Sequence, residues 1–252
     1  MNPGGLPILT YHAVDATGAV TSTAPARFAE TLDALRAAGF RGVDLGEWVD
    51  RGRPEVARGF AVAFDDGLRS ILGVADRLAR DRIPATIFLV AGRVGSDNAW
   101  PGQPSEVPRA RLLDRSDLDA LGRLGFRFGS HGLTHARLDR LSPVEVEGEL
   151  SRSRELIERA TGRPCRLLAY PYGASNPRVR EIAARHFDAA FGTRLDYATA
   201  GDDPFDIARV DAYYLGSGRS RELLIAGRWR RRLAVRRALR AVRASVAEMG
   251  LR

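Results

Sequence analysis

Apolar residues along this chain fall into short unbroken runs separated by stretches of helical periodicity. The runs LPILTYH (6–12), FAVAF (60–64), PATIFLV (84–90), FRFGS (126–130), LLAY (167–170), DAAFG (188–192) and IARVDAYY (207–214) read as buried strands, and RGVDL (41–45) as one more. Helices are predicted between them. One opens at Pro25, carries Phe28, Leu32 and Leu35 at helical spacing and stops near Gly39. A second puts Leu68, Ile71, Leu72, Ala75 and Leu78 on one face, and shorter ones cover 116–125 and 177–187. The longest, 141–162, has Ser142 as a cap, Pro143 at its first position, Glu145 completing a capping box, and Val146, Leu150, Ile157 and Ala160 as its apolar face. Residues 92–115, rich in Gly, Pro, Ser and Arg and containing Trp100, read as loop. Unbroken apolar strands alternating with helices imply a mostly parallel sheet covered by helices. With seven or eight strands, the expected form is a closed or nearly closed (β/α) barrel with its chemistry at the C-terminal ends of the strands.

Composition adds a boundary. The chain has 252 residues, 44% hydrophobic, enough for one large core, and no internal repeat. Its single cysteine, Cys165, excludes an intrachain disulfide and reads as a buried filler. The N-terminal residues lack the basic and apolar segments of a signal peptide, and no run of about 18 apolar residues exists, so the chain as it stands is expected to be cytoplasmic. The net charge of +8 is localised: residues 219–252 hold 11 arginines against 2 glutamates, which leaves residues 1–218 at −1. Two units are therefore expected, a barrel over 1–218 and a basic amphipathic helix over 219–252. In the latter, Val235, Leu239, Val242, Val246 and Met249 form a stripe, Arg236, Arg237, Arg240 and Arg243 lie off it, and Trp229 stands near its start. Two readings of this tail stay open, an in-plane helix on an anionic membrane and a terminal helix docked on the barrel. The near-neutral body offers no platform for nucleic acid, and none is expected to bind.

Four strand ends carry polar groups: His12, the pair Asp65–Asp66 in FAVAFDDG, His131 and His135 in GSHGLTHARL, and the segment PYG at 171–173. Two histidines four residues apart can face one metal ion from a helical turn or compact loop. An aspartate from another strand end would make a third ligand. Two imidazoles and one carboxylate suit Zn²⁺ with an open position for water. One of the paired aspartates can then hold the metal while the other accepts a proton from its water.

FAVAFDDG, GSHGLTHARL and AYPYG, in this order, resemble the first three motifs of the polysaccharide deacetylase family, metal-dependent carbohydrate esterases that include chitin-oligomer, peptidoglycan and poly-N-acetylglucosamine deacetylases. LPILTYHAV and GFRGVDLGEW resemble the start of that domain in its bacterial branch, so the resemblance spans residues 6–214. It implies a distorted (β/α)7 barrel, Asp65 as general base, and Asp66, His131 and His135 as metal ligands. It also implies that the Tyr172 backbone N–H holds the oxyanion and that Tyr170 and Pro171 shape the sugar site.

Two departures stand out. Many members carry an arginine where this chain has Ala169; Arg209 is either its substitute from the last strand or an ordinary strand-flanking arginine. The family's late histidine, its usual general acid, is missing, since no histidine follows His186, itself read as structural. The YH at the end of the first strand matches the poly-N-acetylglucosamine branch and assigns the acid to His12. The implied activity is removal of an acetyl or formyl group from an N-acylated amino sugar, with a lipid- or nucleotide-linked glycan at the inner membrane face fitting a cytoplasmic enzyme with a basic tail. The alternatives are a carbohydrate O-acetyl esterase and a carbohydrate-binding barrel whose activity has lapsed.

Overall fold

The structure is a computed structural model and describes residues 4–103, 106–230 and 232–235. Its strands are β1 (Ile8–Tyr11), β2 (Ala13–Val14), β3 (Ser22–Thr23), β4 (Arg41–Gly42), β5 (Gly59–Phe64), β6 (Ala85–Leu89), β7 (Arg127–Ser130), β8 (Leu167–Ala169), β9 (Ala189–Leu195) and β10 (Ile207–Asp211). Its α-helices are α1 (Pro25–Ala37), α2 (Leu45–Asp50), α3 (Leu72–Arg80), α4 (Arg115–Arg123), α5 (Pro143–Thr161), α6 (Pro177–Ala183) and α7 (Gly218–Ile225). Strands β5 to β10 pair in chain order, all parallel, and β1 pairs with both β10 and β5, which closes a seven-stranded barrel. The (β/α)7 barrel expected from the sequence is the observed fold. Strand β4 adds to β5 outside the closed ring.

Alternation along the strands builds two apolar layers. Leu9, Val62, Ile87, Leu168, Ala190 and Val210 face outward and pack under Leu32, Leu78, Leu150 and Val179 of the helices. Ile8, Ala61, Ala63, Ala169, Ala189 and Ile207 face inward, where the small side chains leave room for the rings of Phe88 and Phe191, 5.5 Å apart. The inward row of β1 continues through Thr10 to His12, and so reaches the C-terminal mouth of the barrel.

Helix α5 forms where its start signals predict, with the Ser142–Glu145 capping box present and Gly162 in the left-handed conformation at its end. Two predicted strands are shorter than expected. RGVDL is extended only over Arg41–Gly42, because Asp44 accepts a hydrogen bond from the Glu47 N–H and caps α2, whose Leu45 and Trp48 plug the N-terminal end of the barrel. The last strand stops at Asp211, whose carboxylate accepts from the Tyr213 N–H and starts a 3-10 turn over Ala212–Leu215.

The described part of the tail docks on the barrel. Helix α7 packs on α1. Trp229 is buried beside Tyr197, ring centroids 6.4 Å apart, so it is a core residue and not the exposed aromatic anchor expected of a membrane helix. Leu233 is also buried, whereas Val235, the first residue of the predicted apolar stripe, is 63% exposed. Arg230 donates to Asp196 at 2.9 Å and to the Gly4 carbonyl at 2.7 Å, tying the tail to the start of the chain. The rest of the predicted stripe, Leu239, Val242, Val246 and Met249, with Arg236, Arg237, Arg240 and Arg243, lies outside the described residues. Among the described residues no helix is long and apolar enough to cross a membrane.

Trp229→Ala should lower the stability of the chain by about 3–5 kcal/mol, the cost of emptying an aromatic site in a core. Urea unfolding checks it; an unchanged midpoint would place this ring outside the barrel's core.

Candidate active site

Strand β5 delivers the first carboxylate directly: the Asp65 N–H still bonds the Tyr11 carbonyl, at 2.9 Å, as a continuation of the β1–β5 ladder. Asp66 then takes φ 69° and Gly67 φ 71°. In a continuing strand adjacent side chains would face opposite ways. The left-handed turn reverses that, and both carboxylates line one cavity of about 310 Å³ at the barrel mouth. Gly67 is required here by space as well as conformation, since a Cβ would come within 2.8 Å of the Leu89 side chain.

The two histidines come from the loop after β7. The His131 N–H donates to the Leu89 carbonyl, and the loop returns to His135 at φ 66°. Helix α5 straps it from below. Glu149 Oε2 accepts from the N–H groups of Leu133 and Thr134 at 2.9 and 3.1 Å, and its Oε1 accepts from the Thr134 hydroxyl at 2.6 Å. One helical turn on, Ser153 Oγ meets Ser130 Oγ at 2.7 Å, and Ser130 Oγ accepts from the Gly132 N–H. Neither Glu149 nor Ser153 was singled out from the sequence. Their signal was present: two polar residues four apart on the stripe of α5 that Val146, Leu150 and Ile157 define as buried.

The imidazoles are oriented by their second nitrogens. His131 Nδ1 lies 2.7 Å from the Ala169 carbonyl, which can only accept, so Nδ1 carries the proton and Nε2 presents its lone pair. His135 Nδ1 lies 3.1 Å from the Tyr172 hydroxyl, and the Trp100 ring covers its face with centroids 4.2 Å apart. Both Nε2 atoms point at Asp66 Oδ1, at 3.5 Å from His131 and 3.3 Å from His135. The three ligand atoms lie within 4.8 Å of one another, the one such cluster among the described residues. Asp66 Oδ1 is buried and has no hydrogen-bond partner. A buried anionic oxygen facing the His131 lone pair and the His135 Nε2 atom, with no bond of its own, is the arrangement that a divalent cation completes, so these residues fit one.

Asp65 is built differently. Arg209, from β10, grips it in a fork, Nη1 to Oδ1 at 2.7 Å and Nη2 to Oδ2 at 2.9 Å, and donates its Nε–H to the Gly192 carbonyl at 3.0 Å. The sequence left Arg209 between a tether and a bystander; the structure places it on Asp65. Burial works to raise the Asp65 pKa, but the charge and hydrogen bonds of Arg209 outweigh it and hold the carboxyl far below the usual range. Burial also pushes His131 down to about 4, against the pull of the two aspartates, so its imidazole is neutral at pH 7.

The other predicted residues divide. His12 lines the same cavity, half-buried, near enough for its charge to act on both aspartates. Tyr172, at φ 60°, is 40% exposed at the rim. Tyr170 reaches the cavity wall but is buried, with its hydroxyl donating to the Phe205 carbonyl at 3.0 Å. Pro171 is buried behind the histidine loop, close to Gly132, and does not line the cavity. His186 sits on the outer surface and pairs with Glu147, as a structural residue would. Cys165 is buried, and burial raises its thiol pKa. A larger cavity, about 530 Å³, lies at the opposite mouth among Trp48, Leu78 and Phe126. It is lined by Asp44, Glu47, Arg51 and Arg82 but, among the described residues, holds no histidine and no metal-ligating cluster, so chemistry and not size identifies the site.

The polysaccharide deacetylase family profile matches residues 53–187, more than half of the chain and the segment holding Asp65, Asp66, His131 and His135. The chain belongs to the polysaccharide deacetylase family. IcaB from Ammonifex degensii superposes with a TM-score of 0.74 at 23% identity, over 90% of this chain and 98% of that one. The Streptococcus pyogenes deacetylase PplD gives 0.71 at 21% identity, over 83% and 93%. BC0361, a polysaccharide deacetylase from Bacillus cereus, gives 0.68 at 24%, over 82% of this chain but only 64% of that protein's length. At these identities the likeness is one of fold. No curated protein matches in sequence. His12 and Arg209 fall outside the matched deacetylase segment, so it is the closure of the barrel that brings them to the site.

Removing one side of the buried fork should be costly: Arg209→Met is expected to lose about 3–5 kcal/mol of stability at pH 7. Because the folded pKa of Asp65 is depressed, its contribution is present above the unfolded carboxylate value near 4 and is lost as pH falls below it. Denaturation curves of the two proteins should therefore converge in acid. Glu149→Gln should leave the fold in place but weaken divalent-ion binding by about 10- to 100-fold, read by calorimetric titration with Zn²⁺.

Proposed function

We propose that this chain is a metal-dependent N-deacetylase acting on an acetylated amino sugar. The observation that carries the reading is the unequal treatment of two adjacent carboxylates: Asp66 faces two imidazole Nε2 atoms with a partnerless oxygen, while Asp65 is locked ionised by Arg209 beside them. Asp66, His131 and His135 are the ligands, and a set of one carboxylate and two imidazoles suits Zn²⁺. A divalent ion bound there supplies Lewis-acid activation of a water and of the acyl carbonyl.

The chain's own groups do the rest. Asp65 accepts the proton of the attacking water through the carboxylate lone pairs that Arg209 leaves free. The backbone N–H of Tyr172 donates to the developing oxyanion. His12 gives its proton to the departing nitrogen. An amine is a poor leaving group unless protonated, and His12 is the histidine of this cavity that stands outside the ligand cluster. This favours an amide substrate over an ester.

Release of free amine from N-acetylglucosamine oligomers, and hydrolysis of an acetate ester with a good leaving group, test the reading together. Asp65→Asn should lower both by about 10²–10⁴-fold with the ion still bound. His12→Asn should lower amide cleavage by a similar factor and ester cleavage far less, because the ester needs no proton. Ester hydrolysis without any amine release would make the protein an esterase, and near-normal turnover by metal-loaded Asp65→Asn would remove the base assignment.

A further inference from the structure

Strand β9 breaks its register beside the catalytic cavity. Ile207 of β10 pairs with Phe191 and Arg209 pairs with Leu195, so two steps of β10 span four of β9. The two extra residues form a bulge over residues 192–194. In a regular strand successive residues face opposite sides, yet Gly192 and Thr193 both line the catalytic cavity. Bulges beside active sites re-aim the residues they carry in this way. We propose that this bulge is the common support of the base and of the oxyanion donor, with Gly192 and Thr193 as positioning residues for Asp65 and Tyr172. This rests on the deacetylase reading above. It adds two residues outside the matched segment 53–187 and a mechanical link between two catalytic groups.

Each residue of the bulge has its own contact. The Gly192 carbonyl accepts the Arg209 Nε–H at 3.0 Å, which leaves both Nη atoms of the guanidinium for Asp65. Gly192 has no room for a side chain: a Cβ would lie 2.5 Å from Asp206 Oδ1, and Asp206 is itself pinned by Arg180 at 2.9 Å. Thr193 is the seat of the turn over Pro171–Gly173. A Cβ on Gly173 would lie 2.6 Å from Thr193 Cγ2, 2.8 Å from its Cβ and nearer still to its Oγ1, so the turn rests on this side chain with no space between them. The turn needs such a support. Tyr172 holds φ 60° and Gly173 φ 64°, a left-handed pair that is unfavourable for a residue with a Cβ. The N–H groups of Gly173 and Ala174 fold back onto the Tyr170 and Pro171 carbonyls, at 2.9 and 3.0 Å, and close it. Arg194 fastens the bulge to the β9–β10 connection, at 2.7 Å to Asp202 Oδ1. A shift of the bulge therefore moves the anchor of Arg209 and the seat of Tyr172 together.

The test pairs kinetics of the metal-loaded protein, on an N-acetylglucosamine oligomer and on an acetate ester, with two nuclear magnetic resonance reporters that need no turnover. One is the Tyr172 amide, among six in protein labelled with ¹⁵N-tyrosine and identified by its loss in Tyr172→Phe. The other is the Arg209 Nε–H, identified by its loss in Arg209→Lys. Thr193→Ala should lower kcat on both substrates by about 10- to 100-fold with KM nearly unchanged, because the oxyanion forms with either leaving group and its charge develops in the transition state. It should shift the Tyr172 amide and leave the Arg209 signal in place. Thr193→Val, which keeps the shape without the hydroxyl, should restore most of the rate. Gly192→Ala should displace both signals. An unchanged kcat in Thr193→Ala, or a Gly192→Ala variant with both signals in place, would overturn the shared support; should Gly192→Ala not fold, the Thr193 variants decide. Thr193→Val as slow as Thr193→Ala would also overturn it, since the hydroxyl would then act on the substrate directly. A protein that turns over neither substrate would instead overturn the reading on which the proposal rests, and the two signals would still report on the bulge.

Discussion

The fork between Arg209 and Asp65 joins two residues 144 positions apart, and it exists only because the barrel closes. Strand β1 is bonded to β5 on one side and β10 on the other, so the last strand returns next to the strand that carries the aspartates. Both partners are almost fully buried, at 3% and 5% side-chain exposure. Removing two charges from water costs several kcal/mol each, and such pairs are often no more stabilising than apolar residues of the same volume. Stability is therefore a poor reason for this pair. A better one is that a carboxylate which must remain ionised and correctly aimed in a sheltered pocket needs a fixed cation, and a guanidinium fork supplies charge and orientation together.

Backbone strain is concentrated in the same place. Of the six non-glycine residues with positive φ among the described residues, Asp66, His135 and Tyr172 belong to the site. Each departs from the favoured regions at a cost of order 1–3 kcal/mol, lowest for Asp and His, which tolerate the left-handed conformation. The surroundings compensate with fixed bonds: Gly67 behind Asp66, the Glu149 carboxylate under the histidine loop, and the Tyr172 hydroxyl against His135. Rigid elements around the mouth thus impose on three short turns the conformations that bring their side chains together.

Much of this was legible in the sequence, and what was not has identifiable causes. The strands and α5 follow from hydrophobic periodicity and from capping residues, which act locally. The cluster of Asp66, His131 and His135 was legible because Asp-Asp-Gly and His-x-x-x-His are themselves local patterns. Arg209 stayed ambiguous because its partner is 144 residues away and one arginine among 39 basic residues carries no mark of burial. Helix α2 was missed because six residues are too few for periodicity to emerge, and the signal lay in Asp44 as a cap. Trp229 left two readings open because a tryptophan beside arginines has the same pattern whether it faces lipid or a core. Its burial against Tyr197 is a tertiary fact.

Adjacent aspartates are expected to compete for any cation and to repel one another, and here their environments set them apart. Arg209 occupies one lone pair on each oxygen of Asp65, which keeps that residue anionic and satisfied without a further cation. Asp66, one residue on, has the two imidazoles and an oxygen with no partner. The same fork that fixes Asp65 also makes it a weak base, with a pKa far below that of bulk carboxylates. On the function proposed above, a base this weak takes a proton from a water that a bound ion has acidified. Arg209 thus sets the two aspartates apart: it satisfies Asp65 with a fixed cation, while Asp66 is left facing His131 and His135.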